Sequence, residues 1–519
     1  MAKNLIRGVN WIGDAVMTLP AIRALKEAFT EDEFHLLVKE WVSPVFQGNP
    51  FIDKVLIYSD DFSGLLGKIK AAKILKKEGY QRAFLFQNAF DAAVLATLSG
   101  IPEKIGYNRD LRGPMLTTRV PFDQYASRLH HCLYYLNILK HLGLKPVYRQ
   151  PWIYLSLSER LRARERISQL KRPIILINPG ATYGSAKRWP PERFSELIHL
   201  ILNELRGSVI ISGSSSEKAI SEEILSNLKE PPPEDRLINL TGRTNLRDFI
   251  AILSEVDAVI TNDSGPMHLA YATCQSLVAL FGSTSAELTG PPSFVKATQN
   301  GFEEKQETLS RDIVIKKPVE CSPCFKRTCP EGHTRCLELI TPEEVFEALK
   351  GVLPAKKAIF FDRDGTLCRD AHYLSKMEDL EIFPEVQKLK ELKEAGYMLV
   401  GVTNQSGIAR GIVQEDFVRE VNRIFIQKFG FDAFYYCPHH PDEHCACRKP
   451  SPGMLFKARA ELGIDLKSSI VVGDKESDLE LAKSVGAKAV LVTTGKLNFS
   501  EMADLEFKNL DELITYFTN

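Results

Sequence analysis

The sequence predicts an α/β protein with largely parallel sheets, and three observations carry that prediction. Apolar strand-like runs alternate with helical patterns along the whole chain, the order of βαβ units. Several runs end in turns carrying glycine, asparagine or aspartate, where open parallel sheets bind ligands. The 519 residues are 44% apolar and 25% charged, enough for three or four domains with cores of their own. Formal net charge is zero, which argues against a general nucleic-acid binder. No run reaches the ~18 apolar residues of a membrane-spanning helix. Met1–Arg7 lacks the apolar core and cleavage site of a secretory signal, so a cytoplasmic location is expected. Most cysteines fall in two clusters, which in a cytosolic enzyme favours metal binding over disulfides.

In chain order, Asn4 to Gly8 reads as the first strand, leading through Asn10-Trp11-Ile12-Gly13-Asp14 into a helix from about Ala15 to Phe29. Strands are predicted at Glu33–Val38, Lys54–Ile57 and Ala83–Gln87. A basic helical stretch after Leu65 sets Lys68, Lys70, Lys73, Lys76 and Lys77 around Ile69, Ile74 and Leu75, a pattern suited to solvent or to anionic lipid. A charged helix, Ser158–Lys171, opens a second series. It comprises strand Pro173–Asn178, helix Pro191–Leu205 and strands Ser208–Ser212, Ala258–Thr261 and Ser276–Phe281. Two lobes facing one cleft are thus expected at 1–165 and 166–349. Gly351–Ala355 reads as a linker to a third α/β unit at 356–519.

The third unit carries the most specific chemistry. Ala358–Phe361 delivers Asp362-Arg363-Asp364-Gly365-Thr366, two carboxylates two positions apart at a glycine turn. Strand side chains alternate faces, so the pair can meet one phosphorus centre, one acid as nucleophile and the other as proton carrier. A magnesium ion would screen their repulsion from a phosphate dianion. Thr403-Asn404-Gln405-Ser406 ends an apolar strand with groups suited to phosphate oxygens. Arg448-Lys449 supplies cations, and Gly473-Asp474-Lys475 an acid fit for a magnesium site.

With these motifs, residues 356 to about 495 resemble a haloacid-dehalogenase-superfamily phosphatase, among the D-glycero-D-manno-heptose 1,7-bisphosphate phosphatases and the related histidinol-phosphate phosphatases. The resemblance implies Asp362 as nucleophile, Asp364 as general acid then base, and Thr403 and Lys449 on the phosphoryl group. It implies Mg²⁺ on Asp362, Asp474 and the Asp364 backbone carbonyl. Substrate contacts would come from Arg363, Asp370, Ala371, His372, Tyr373, Asn404, Gln405, Ser406, Arg448 and Lys475. The family's zinc loop is matched by Cys437-x-His439 and Cys445-x-Cys447, a ligand set for a closed structural site. The alternative leaves His439, His440 and His444 as surface histidines among buried thiols.

Residues 1 to about 349 resemble a lipopolysaccharide heptosyltransferase of glycosyltransferase family 9, nearer the II type. Four stretches carry the resemblance: Trp11–Asp14 with Thr18–Ala21, Asn178–Ala181 with Ala186–Pro190, Thr261–His268, and Phe281–Thr284. It implies a GT-B unit of two Rossmann-like lobes. Asp14 can act as general base on an acceptor hydroxyl or cap the next helix; the resemblance favours the base, and direct attack would invert the anomeric carbon. Lys187 and Arg188 can offset charge on a departing diphosphate, or be solvated cations. Ser264-Gly265-Pro266 reads as a helix start whose free N–H groups suit a diphosphate. Asp263 and His268 are donor-site candidates, with a packed core role open for His268. Cys321, Cys324, Cys329 and Cys336 suit structural zinc, an iron–sulfur cluster or reduced thiols, and the residues do not choose among them.

The two resemblances imply a bifunctional enzyme of lipopolysaccharide inner-core synthesis. It would move heptose from ADP-heptose to a lipid A–Kdo–heptose acceptor and remove the 7-phosphate of heptose 1,7-bisphosphate, using Mg²⁺ and a structural Zn²⁺. Its expected place is the cytoplasm, with the basic stretch either an ordinary solvated helix or a contact at the inner-membrane periphery. Competing readings assign the phosphatase to histidinol phosphate or another sugar phosphate, or make the N-terminal unit a non-catalytic docking module.

Overall fold

The computed structural model describes residues 1–233, 235–304 and 308–519, and it forms two compact units, one ending at Val352 and one running from Leu353. In the first unit, β1 (Lys3–Arg7), β2 (Glu33–Val38), β3 (Lys54–Ile57), β4 (Arg82–Leu85), β5 (Glu103–Tyr107) and β6 (Thr118–Val120) make one sheet. After β7 (Val147–Tyr148), a second sheet comprises β8 (Ile174–Asn178), β9 (Ser208–Ile211), β10 (Leu237–Asn239), β11 (Ala258–Asn262), β12 (Ser276–Phe281) and β14 (Asp312–Lys316). β13 (Glu303–Glu304) pairs with β7. The second unit holds β15 (Ala358–Phe361), β16 (Met398–Asn404), β17 (Ala433–Cys437), β18 (Ile470–Gly473), β19 (Lys488–Val492) and β20 (Leu505–Phe507).

One winding recurs three times: β3-β2-β1-β4-β5-β6, β10-β9-β8-β11-β12-β14 and β17-β16-β15-β18-β19-β20. Neighbouring strands are parallel, as in the pairs β1–β4, β8–β11 and β15–β18. Each chain segment starts mid-sheet, winds to one edge, then returns to the other side of its first strand. That reversal opens a crevice beyond the carboxyl ends of β1/β4, β8/β11 and β15/β18, the place where such sheets take ligands.

Central strands are unbroken apolar runs because helices cover both faces of parallel sheets. β8, β11 and β12 are buried at every position. Helix α1 (Ile12–Ala28) is buried along most of its length because it packs on two other helices, His131–Lys140 and Gly265–Ala272. It starts at Ile12, earlier than the sequence predicts, with Trp11 at the N-cap and no side-chain capping bond. Asp14 therefore sits inside the first turn and does not cap the helix. The predicted charged helix spans only Leu157–Arg166, since the chain must turn before Pro173 to enter β8. The first two linker residues, Gly351 and Val352, complete helix Pro342–Val352, held by buried Val345, Phe346, Leu349 and Val352.

The basic stretch forms α2 (Gly64–Glu78), which buries Gly67, Ala71, Ala72 and Leu75. Gly67 lets it ride close to the preceding turn, because a Cβ there would lie 2.6 Å from the backbone of Phe62. In the second unit, Ile359, Phe361, Leu399, Val472 and Val490 meet Val421, Phe425 and Leu513 in one core. Among the described residues no helix is long and apolar enough to cross a membrane.

Candidate active sites

In the first unit, a cavity of about 640 Å³ is lined by Gly13, Asp14, Lys187, Asp263, Gly265 and His268. A second cavity of about 350 Å³ is lined by Asn88, Arg109 and Tyr134, and again by Asp14. Asp14 thus stands where the two spaces adjoin, its carboxylate 3.5 Å from Nδ1 of His131, which lines both. The first turn of α1 and the helix His131–Lys140 fix that pair, since the two helices pack together.

On the side of the larger cavity, Lys187 Nζ meets Asp263 Oδ2 at 2.6 Å and lies 4.9 Å from the Tyr183 ring centre. Asp263 is buried and also accepts a hydrogen bond from Thr284. The neighbouring Asn262 shapes the loop that carries Lys187 and Arg188: its amide donates to the Pro179 carbonyl at 2.7 Å and its oxygen accepts from the Trp189 N–H at 3.1 Å. Arg188 donates to the Ala181 carbonyl, while its Nε is buried without a hydrogen-bond partner. Ser264 is at the N-cap of Gly265–Ala272 yet makes no capping bond; its hydroxyl meets Thr261 Oγ1 at 3.2 Å. Pro266 has no N–H and the Met267 N–H meets the Ser264 carbonyl at 3.1 Å, so at this helix end it is the Gly265 N–H that can face the cavity. Gly13 has no side chain for a spatial reason, because a Cβ would stand 2.7 Å from the His268 ring. His268 is buried, and burial brings its pKa down to about 4, so the imidazole is neutral near pH 7. Its Nδ1 lies 2.8 Å from the Tyr271 hydroxyl.

The loop bearing Cys321, Cys324, Cys329 and Cys336 is fastened to this site by backbone bonds, Phe325 N–H to the Ser283 carbonyl and Ala186 N–H to the Arg327 carbonyl. Its cysteines are free thiols. They are not among the side-chain groups gathered at metal-ligating distance within the described residues.

In the second unit, the tips of β15, β16 and β18 converge on Lys449. Its buried ammonium lies 2.8 Å from Asp362 and 2.6 Å from Asp478, and donates to the Val402 carbonyl at 3.0 Å. Burial opposes that charge, yet the two carboxylates hold the lysine pKa above its ordinary value. Burial would likewise raise Asp362, but Lys449 and Lys475 hold it below the usual carboxylate range. Asp478 goes the other way: burial pushes it up to about 6 despite Lys449. Asn404 positions the lysine backbone, accepting from Lys449 N–H at 3.0 Å and donating to its carbonyl at 3.2 Å.

Lys475 Nζ lies 3.3 Å from Asp362 Oδ2, 2.9 Å from the Asp364 carbonyl and 3.4 Å from Asp474 Oδ1. These three oxygens thus face one cationic point. Asp474 Oδ1 is buried with no hydrogen-bond partner, and burial raises the pKa of its carboxyl. Such a set of hard oxygens, with Asp474 Oδ1 left unpartnered, fits a magnesium ion. Gly365, at φ +98°, allows this closure, because a Cβ would lie 2.4 Å from Asp474. The Asp364 carboxylate stands apart, accepting from Gln405 at 2.7 Å and facing Thr403 Oγ1 at 3.5 Å. Arg363, expected on the substrate, is instead buried beneath the site, where its guanidinium holds both Asp364 oxygens at 2.9 and 3.0 Å and reaches Asn422. Its neighbour Asp364 leaves the strand line after Phe361, so the side chain between the two acids points inward.

Asp370, half-buried, lies 3.9 Å from Lys475 and accepts the His372 N–H, while Ala371 and His372 are exposed and Tyr373 packs on the His372 ring. Ser406 and Arg448 are half-buried, and one Arg448 nitrogen is enclosed without a partner. Asp478 was missed as a site residue, although its signal is present: it lies four residues after Asp474, in the first turn of the helix Glu476–Val485. Thr284 closes the Phe281–Thr284 stretch but was not singled out as a site residue, and His131 belongs to no motif and had no signal.

Among the described residues two groups of side chains gather at metal-ligating distance, Asp362 with Asp474 and Asp478, and Cys437 with His439, Cys445 and Cys447. Cys437 and Cys445 sulfurs are 3.5 Å apart, Cys445 and Cys447 3.5 Å, and His439 Nδ1 is 3.2 Å from Cys447. Zinc bonds of about 2.3 Å to sulfur in a tetrahedron put ligand atoms roughly 3.5–3.8 Å apart, so the set fits that ion. His440 and His444 lie outside it.

A family model described as glycosyltransferase family 9 (heptosyltransferase) matches residues 69–335, just over half of the chain, and a HAD-hydrolase-like model matches 446–515. The D-glycero-beta-D-manno-heptose-1,7-bisphosphate 7-phosphatase of Haemophilus ducreyi is 42% identical over 178 residues, 31% of this chain and 98% of that relative. The chain belongs to glycosyltransferase family 9 and carries a heptose-bisphosphate-phosphatase-family unit. Lipopolysaccharide heptosyltransferase 2 of Escherichia coli K12 is 28% identical over 368 residues, 69% of this chain and all of the relative. The solved E. coli ADP-heptose heptosyltransferase II has a TM-score of 0.56 at 26% identity, covering 68% of this chain and 98% of that one. Family membership accounts for the two-lobed first unit and the acid-rich crevice of the second.

Proposed function

We propose that the chain is a bifunctional enzyme of lipopolysaccharide inner-core synthesis with three domains, 1–165, 166–349 and 356–519. The first two would transfer heptose from ADP-heptose to a lipid A–Kdo–heptose acceptor. The third would remove the 7-phosphate of D-glycero-D-manno-heptose 1,7-bisphosphate. One observation carries the reading: both units match, over nearly the whole length of the relatives, proteins whose names specify heptose chemistry. A phosphatase for histidinol phosphate would share no sugar with its fused partner.

For transfer, Asp14 takes the proton of an acceptor hydroxyl at the boundary of the two cavities, and the oxygen attacks the anomeric carbon with inversion. Lys187, Arg188 and the Ser264–Gly265 helix end receive the departing diphosphate, with Asp263 orienting Lys187. Neutral His268 packs beside the donor. For hydrolysis, an Asp362 oxygen attacks phosphorus, the bond to the sugar oxygen breaks, and Asp364 gives that oxygen its proton. Asp364 then takes a proton from water, which attacks phosphorus and releases Asp362. Thr403 and Lys449 bind the phosphoryl oxygens, Asn404 holds the Lys449 backbone in place, and Asp370 to Tyr373, Gln405, Ser406, Arg448 and Lys475 hold the sugar and its second phosphate. A magnesium ion on Asp362, Asp474 and the Asp364 carbonyl would neutralise phosphoryl charge. Zinc on Cys437, His439, Cys445 and Cys447 would brace the loop presenting Arg448 and Lys449. The work would be done in the cytoplasm, at the inner-membrane face.

The test incubates full-length protein with ADP-heptose and defined truncated core lipids, and separately with heptose 1,7-bisphosphate and histidinol phosphate. Heptose-elongated lipid and preferential release of phosphate from the heptose are expected. Preference for histidinol phosphate, or donor binding without transfer to any core lipid, would overturn the respective half.

A further inference from the structure

We propose that α2 lays its outer face on an anionic lipid bilayer and so carries the smaller cavity of the first unit to a lipid-borne acceptor. This rests on the acceptor reading above. The inner face of α2 is consumed by packing, through Gly67, Ala71, Ala72 and Leu75. The outer face serves no core: Leu65, Leu66, Ile69 and Ile74 are 70%, 83%, 36% and 48% exposed. Lys68, Lys70, Lys73, Lys76 and Lys77 flank them, and no acidic residue occurs from Ser63 to Lys77. Lys68 pairs with Asp91, and Glu78 at the far end is engaged by Lys3 and Lys54. Lys70, Lys73, Lys76 and Lys77 turn to solvent.

A helix meant only for water needs the lysines and not the four aliphatics. A bilayer surface uses both: aliphatic side chains enter the boundary between headgroups and acyl chains, while lysine stems lie along it and place ammonium groups at lipid phosphates. The same surface runs on to the cavity. The Lys68–Asp91 pair ties α2 to α3 (Phe90–Leu98), whose first residue, Phe90, is 51% exposed. Two residues earlier, Asn88 lines the smaller cavity.

Full-length protein is sedimented with vesicles of phosphatidylcholine alone and with added phosphatidylglycerol, at low and high salt. Each lysine near an anionic surface strengthens binding roughly fivefold. Binding that requires phosphatidylglycerol and weakens with salt is expected, with about a hundredfold loss in Lys70→Gln/Lys73→Gln/Lys77→Gln. Leu65→Ser/Leu66→Ser should weaken it separately while keeping its salt dependence. Both variants should keep phosphatase activity and transfer to a deacylated, soluble acceptor, which reports folding. Wild-type protein indifferent to phosphatidylglycerol, or variants that bind like wild type, would overturn the proposal. So would Leu65→Ser/Leu66→Ser abolishing self-association in sedimentation velocity with vesicle binding unchanged, which would assign the face to a second copy. Absence of transfer to the soluble acceptor by the wild type would instead fail the acceptor reading.

Discussion

Replacing Lys449 with Met tests the electrostatic centre of the phosphatase unit. Lys449 lies 2.8 Å from Asp362 and 2.6 Å from Asp478, all three side chains at most 4% exposed. Without the ammonium, two buried carboxylates lose their main counter-charge, and breaking such a buried pair costs about 3–5 kcal/mol. At roughly 2–4 °C per kcal/mol for a domain of this size, the unit's melting transition should fall by about 6–20 °C at pH 7.5. The pH dependence fixes the cause. In the variant both carboxyl pKa values rise, Asp478 further above its unfolded value from about 6 and Asp362 from its present place below the usual carboxylate range. A raised folded pKa contributes stability that is present at low pH and lost as pH rises through it, so the deficit should narrow toward pH 5. Lys449→Met/Asp478→Leu should regain much of the stability, because an apolar pair replaces the ionic one, and should still release no phosphate. Calorimetry of the full chain from pH 5 to pH 8 reads both quantities. An unchanged transition at pH 7.5, or a deficit independent of pH, would refute the assignment of Lys449 as counter-charge.

Other perturbations are expected to separate the two activities. Asp14→Asn should cut heptosyl transfer about 10²–10⁴-fold while donor binding and phosphatase activity persist, measured by product analysis and calorimetric titration. Cys445→Ser should lose one zinc equivalent by elemental analysis and lower the phosphatase unit's melting temperature; equal metal content in both proteins would refute the ligand set. Burial depresses His268 to about 4 and His130 to about 3. Their stability contribution is present above pH 6.5 and lost as pH falls through those values, about 2 kcal/mol each by pH 5, so the first unit's transition should drop between pH 7 and pH 5. His268→Gln should flatten that drop.

Parallel strands were the most legible elements, because burial on both faces writes them as apolar runs; Glu33–Val38 and Ser276–Phe281 have the predicted bounds, and so does the edge strand Lys54–Ile57, although it has no buried position. Helix ends were less so, since the start of α1 at Ile12 is set by packing with Gly265–Ala272 and not by a capping side chain. At the phosphatase centre, residues on strand tips could be read from motifs that travel with the strands. The inward turn of Arg363 could not, because it depends on the chain leaving β15 after Phe361 and on Asn422 from a distant helix. His131 reached Asp14 only through helix packing, a contact no local pattern encodes.

The threefold recurrence of one strand order has a practical side. With chemistry confined to one rim of every sheet, the opposite rim is open to attachment. The turns at Gly79, ahead of β4, and Gly396, ahead of β16, are left-handed glycines with no atom within 4 Å of a built Cβ. A reporter peptide spliced at the Gly396 bend would have the whole of β16 between it and Thr403, so the phosphatase unit can be tracked or immobilised there, whereas the Gly79 bend closes α2, the helix proposed to meet lipid.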